Sequence, residues 1–445
     1  MANSTKPIFA FSLPVFLALG VVVGPPALAQ SKVTGGIKAP GAAAAAQERG
    51  GVNAPDIQPD AQPPKQTDAL IADCDRAAGD PEDPFLPEGV AGVAADELNP
   101  TAALSACETA HQAAPDSVRV TFELGRVYAW QGDMERAVPL LTSAEEAGYG
   151  VASYRLGRLW RNANALGDDW ARAVVHFRRG AEAGNPAAQF DLAWSYLKGL
   201  GQSADLDAAL KWYHAAAEAG HAPSQYELGW VYSEGLTGEP DFERAFDWYS
   251  RAAAQGHRIA FNDLASMYVN GLYVDVDYEK AAELYRKAAE NGLARAQANL
   301  GYLYQKGRGV EQDYAEAARW YRVAADQGST RGMLDLGTLY FLGEGVERDR
   351  SKAFELFDQS RKAGDVRAYV YLGNVLEMDE ELKDPTRAAG YYIEALRHGS
   401  DWPIMRLNFR WDQATARAMQ QHLADLGLYS GPVNGEIDEA SRAAM

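Results

Sequence analysis

The sequence predicts an all-α fold, an α-solenoid of stacked helix pairs on a 36-residue period with a short helical segment at the C-terminus. Three observations carry that expectation. A leucine returns every 36 residues, at Leu156, Leu192, Leu228, Leu264, Leu300, Leu336 and Leu372. An aspartate follows each, at Asp169, Asp205, Asp241, Asp277, Asp313, Asp349 and, one residue early, Asp384. A glycine closes each frame, from Gly148 and Gly184 through Gly220, Gly256, Gly292, Gly328 and Gly364. A single helix pair cannot bury both of its faces, but stacked pairs share one continuous core, which is why such a frame recurs.

Each mark has a local reason. Four residues before the ladder leucine stands a small side chain, such as Ala188 or Gly332, and four after it a large one, such as Tyr196 or Tyr304. Spacing by four puts them on one face of a first helix. The aspartate suits the start of a second helix, where its oxygen accepts from an orphan N–H. Glu316, three residues beyond Asp313, has the spacing of a capping box. Alanines such as Ala317 and aromatics such as Tyr321 then face the neighbouring helix, and the closing glycine supplies the left-handed residue that ends it. Eight units are counted over residues 117–400.

Frames such as AQANLGYLYQKGRGVEQDYAEAARWYRVAADQG resemble the Sel-one-like repeat (SLR) family, relatives of the tetratricopeptide repeat, over about residues 118–399. The resemblance implies a right-handed superhelix of antiparallel helix pairs that assembles other molecules without catalysis.

Outside the repeats, residues 1–29 read as a signal peptide. Lys6 precedes the uncharged run IFAFSLPVFLALGVVV, and Ala27-Leu28-Ala29 offers small residues for cleavage. The run falls short of the roughly 20 residues that span a membrane, although an uncleaved anchor is the alternative. The expected location is therefore exported and periplasmic, with no stable membrane span after cleavage. Residues 30–66, rich in Ala, Gly, Pro and Gln, bury too little to offset ordering and read as a disordered linker. Residues 67–116 read as an N-terminal helical cap. Cys74 and Cys107 are the only cysteines, and an even count in an oxidising compartment favours one disulfide over two buried thiols.

The 445 residues carry a net charge of −19, which repels nucleic acid and argues against it as a partner. No GxSxG, HExxH or phosphate-cradling glycine loop occurs, so no catalytic residue, metal or cofactor is expected. His221 and His257, each just after a closing glycine, read as surface histidines. If the first helices line a concave face, as in tetratricopeptide proteins, the groove positions lie two residues either side of the ladder leucine. Those rich in aromatics or charge are Tyr154, Arg158, Phe190, Trp194, Tyr226, Trp230 and Tyr302. They are the expected partner-binding residues, because rigid rings give contact area at little entropic cost. The other reading is that some rings only fill space between units.

Residues 401–445 resemble part of a peptidoglycan-binding-like domain. Gly427, Tyr429, Gly431 and Gly435 match its turn pattern, and Asn434 stands where Asp is usual. Asp438 and Ser441 depart from that pattern, and a plain capping element is the alternative. The expectation is a scaffold for an unidentified protein partner, with a peptidoglycan or glycan binder using the aromatic strip as the alternative.

Overall fold

A computed structural model describes residues 65–94, 96–162, 164–405 and 411–445, all within one of the chain's two compact units, Pro55–Met445. The signal segment 1–29 and nearly all of the linker 30–66 lie outside the described residues. The described residues hold twenty-one α-helices and no strand.

Helices α1 (Lys65–Ala78) and α2 (Pro100–Ala113) form the cap, so its first helix starts two residues ahead of the expected boundary at 67. Eight pairs follow: α3 (Val118–Trp130) with α4 (Met134–Glu146), α5 (Gly150–Arg161) with α6 (Trp170–Glu182), α7 (Pro186–Lys198) with α8 (Leu206–Glu218), and α9 (Ala222–Ser233) with α10 (Phe242–Ala254). The series continues with α11 (Arg258–Asn270) and α12 (Tyr278–Glu290), α13 (Ala294–Lys306) and α14 (Tyr314–Asp326), α15 (Thr330–Leu342) and α16 (Arg350–Lys362), then α17 (Arg367–Met378) and α18 (Pro385–Arg397). Last come α19 (Trp402–Met405), α20 (Gln413–Asp425) and α21 (Glu439–Ala444). Each repeat helix packs most extensively on its pair partner and next on the helix that adjoins it in sequence, which is the contact pattern of a solenoid.

The aspartate ladder is the hinge pin of every unit. Asp169, Asp205, Asp241, Asp277, Asp313, Asp349 and Asp384 each accept from the N–H three residues on, at 2.8–3.0 Å. Each also donates its own N–H back to the end of the first helix, as Asp313 does to the Tyr304 carbonyl at 3.0 Å. That second bond explains why the capping box does not form. The Asp313 N–H is already taken, and Glu316 turns instead to Arg319, 2.9 Å away.

The residue after the ladder leucine is small because an aromatic ring of the second helix lies on it. A Cβ at Gly229 would sit 2.5 Å from the Tyr249 ring, and one at Gly301 2.7 Å from the Tyr321 ring. Tyr213, Tyr321, Tyr392, Phe177 and Phe357 are fully enclosed in this seam.

At the N-terminal end Cys74 and Cys107 are joined by a disulfide that ties α1 to α2. Arg126 fastens the 79–98 segment by donating to the Ala78 and Gly79 carbonyls at 2.7 and 3.1 Å and to that of Val93. At the other end α20 packs on α18, and Leu376, Tyr392, Met419, Leu423 and Tyr429 share one cluster.

Candidate functional site

The first helices of successive units present one connected face. Arg161 of α5 pairs with Asp191 of α7 at 2.7 Å. From α7, Lys198 places its Nζ 4.8 Å from the Trp194 ring centroid and 5.7 Å from that of Trp230 on α9. The Tyr226 hydroxyl of α9 donates to Asp263 of α11 at 3.2 Å, and Arg295 of α13 pairs with the same carboxylate at 3.3 Å. Arg331 of α15 donates to Asn299 of α13 at 2.7 Å and lies over the Tyr302 ring. Six first helices, α5 to α15, are thereby joined by charge, hydrogen-bond and ring contacts across unit boundaries.

The expected groove residues divide by position. Those two after the leucine lie on this face: Trp194, Trp230 and Tyr302 are half-buried with edges open to solvent, and Arg158 is exposed. Those two before it turn towards the next unit. Phe190 packs on Tyr213 and on His221, with centroids 5.8 and 5.3 Å apart, and Tyr226 stacks on His257 at 4.8 Å. Tyr154 is a correction. It is only 6% exposed and packs against Phe177, so it offers no free ring.

The histidines are a second correction. His221 and His257 are half-buried caps whose Nδ1 atoms accept from the Ser224 and Ala260 N–H groups, both at 3.3 Å. Each fills the space beside the aromatic of the preceding unit, and burial pushes His221 down to about 4.

Sequence reasoning missed the residue directly before each ladder leucine. Asp191, Glu227, Asp263 and Asp335 form an acidic row beside the rings. The recurring acid–leucine pair is visible in the sequence as Asp191-Leu192, Glu227-Leu228, Asp263-Leu264 and Asp335-Leu336. Burial raises the pKa of Glu227, with Lys198 opposing it, and burial likewise raises Asp191 and Asp335 against their arginines. An arrangement of half-open indoles beside carboxylates favours stacking on, and charge pairing with, a ligand that carries cations or rings.

Among the described residues one group of three His, Cys, Asp or Glu donors lies within 4.8 Å: Cys74, Cys107 and Glu123. Both sulfurs are spent on the disulfide. No helix of the described residues is long and apolar enough to cross a membrane.

In the C-terminal segment the four matched residues and Asn434 shape a turn. Gly427 and Gly435 adopt φ of 73° and 84°, and the Gly435 N–H donates to Gln420 at 2.8 Å. Asn434 accepts from the Glu436 N–H at 2.9 Å. Tyr429, expected to bind cell wall, is buried and donates to the Pro432 carbonyl at 3.0 Å, with Gly431 against its ring. That ring is therefore packed, not displayed.

The Sel1 repeat family model matches residues 186–221, 222–257, 260–293, 294–329, 330–365 and 366–400, and a tetratricopeptide repeat model matches residues 94–164. Among solved structures the chain is similar to a protective antigen present in uropathogenic Escherichia coli strains, which displays an SLR fold. That match has 27% identity and a TM-score of 0.61, and covers 77% of this chain and 79% of the antigen. A Sel1 repeat protein from Oxalobacter formigenes is similar at 29% identity and a TM-score of 0.50, covering 54% of this chain and 96% of that one. No curated protein matches the chain.

Proposed function

We propose that this chain, whose residues 186–400 match the Sel1 repeat model, is an exported, non-catalytic scaffold that holds a protein partner on its first-helix face. Repeat solenoids bind through extended preformed surfaces, and the chemistry is left to what docks there. The observation that carries the reading is the convergence of Trp194 and Trp230, from successive units, on the one ammonium of Lys198. It makes a recognition strip wider than any single repeat. Tyr302, half-buried on the same face, extends that strip towards the later units. Phe190 and Tyr226 support it from behind. The export half of the proposal rests on the residue 1–29 segment.

The test is affinity capture from a periplasmic extract with the intact protein and with a Trp194→Ala/Trp230→Ala variant. A partner retained by the intact protein should be recovered about ten-fold less by the variant, the loss expected for two interface indoles. Equal recovery by a variant that still melts cooperatively would remove the strip from consideration.

A further inference from the structure

A cavity of about 710 Å³ opens between the cap segment, α3 and α5. It lies ahead of the residues matched as Sel1 repeats. In a chain of net charge −19 its lining is unexpectedly basic: Arg126, Arg155, Arg158 and Arg161 against the single acid Glu82.

The charges can be followed one by one. Arg126 lies 3.4 Å from Asp80 and is committed to backbone carbonyls. Arg155 holds Asp80 at 2.6 Å and Glu82 at 3.0 Å. The two acids therefore balance these two guanidiniums. Arg161 is paired with Asp191 at 2.7 Å. Arg158 remains. Among the described residues it has no carboxylate at ion-pair distance: Asp191 acts on it only at longer range and is held by Arg161, and its polar contact is the Tyr154 hydroxyl at 3.4 Å. Its guanidinium is exposed at the cavity, with Trp130 and Leu159 in the same lining as an apolar wall.

We infer that this cavity binds a carboxylate of an acidic peptide segment, with Arg158 gripping the carboxylate and Trp130 and Leu159 receiving an apolar neighbour. A planar guanidinium matches a carboxylate with two parallel hydrogen bonds. One uncompensated positive charge suits a monoanion better than a phosphate dianion. The volume falls in the range that encloses a few side chains. The inference rests on the protein-partner reading only in taking the ligand to be polypeptide, and the site is separate from the Trp194–Trp230 strip.

A short fluorescent peptide alternating Glu and Leu, titrated into the full chain and followed by anisotropy, tests it. Binding should saturate, weaken about ten-fold or more in Arg158→Glu, as for loss of a charge-assisted bond, and vanish when the peptide's Glu residues become Gln. The remote exposed change Arg397→Glu, which alters net charge equally, should leave binding unchanged. Arg158 is exposed, so the variant should melt as the parent does. Absence of saturation, binding that survives Arg158→Glu, or displacement by inorganic phosphate as effective as by unlabelled peptide would each overturn the assignment. The Trp194→Ala/Trp230→Ala variant separates the two proposals. It should bind the peptide normally, and failed peptide binding beside tryptophan-dependent capture would remove this inference alone.

Discussion

Glu123 shows how a single residue can set the pH response of the cap. It is fully buried, and its Oε2 lies 2.9 Å from Cys74 Sγ, a disulfide sulfur that has no proton to give. Burial, reinforced by the charge of Asp75, pushes Glu123 up to about 9, so it is a neutral acid in the folded protein at pH 7. The unfolded chain releases that proton near 4.5. Between those values the folded state binds the extra proton, so stability is full below 4.5 and declines as pH rises towards 9. Glu123→Gln should flatten that decline and raise the thermal midpoint at pH 8 more than at pH 5. Parallel melting curves for the two proteins at both pH values would refute it. His221 works in the opposite sense: its folded pKa of about 4 lies below the ordinary 6.5, so its contribution is present above 6.5 and lost as pH falls towards 4. Neither effect is legible from residue type. Both arise chiefly from burial by segments distant in the chain, with the charge of Asp75 adding to it at Glu123 and that of His257 at His221.

At the scale of the element, the sequence was most informative about how helices begin and end. The aspartate ladder and closing glycines mark real helix boundaries because capping involves atoms only a few residues apart. The loop between the two helices of a pair is stricter than its sequence suggests. Gly201, Gly309 and Gly345 share one frame, with φ of 68°, 68° and 66°, and a Cβ at Gly309 would run into the backbone of Tyr278. In the same frame Tyr273 takes φ of 66° and sends an exposed ring towards Phe246. Gly309→Ala should therefore cost about 2 kcal/mol, combining left-handed strain with a clash against backbone that cannot rotate away. Chemical denaturation checks this, and a loss below a few tenths of a kcal/mol would mean the loop yields as it does around Tyr273.

Across the whole molecule, the array couples neighbouring units and its two ends are closed differently. The N-terminal end relies on a disulfide between residues 33 apart, a closure that restricts the unfolded chain by roughly 4 kcal/mol. The C-terminal end relies on α20 and the 427–438 turn covering Tyr392 and Leu376. Because stability in a solenoid passes between neighbours, a Cys74→Ser/Cys107→Ser variant should lose amide-exchange protection first in α1 to α3. Protection from α9 onward should stay near the parent value. Uniform loss along the chain would show one cooperative block instead of a local closure.

By itself the sequence determined the all-α class, the repeat frame, the capped helices and the aromatic seam. Each depends on contacts within a turn of helix or on a frame repeated many times over. Only the tertiary structure decided which side chains stay open: why Trp194 faces solvent while Tyr154 is enclosed, and why Arg158 lacks an acid when Arg155 has two. Those outcomes depend on which unit packs beside each helix and on a cap segment folded back from about 75 residues earlier, as in the Arg155–Asp80 pair. Helical periodicity states which face a residue occupies, but the free energy of exposing or burying it is set by what the chain brings against that face.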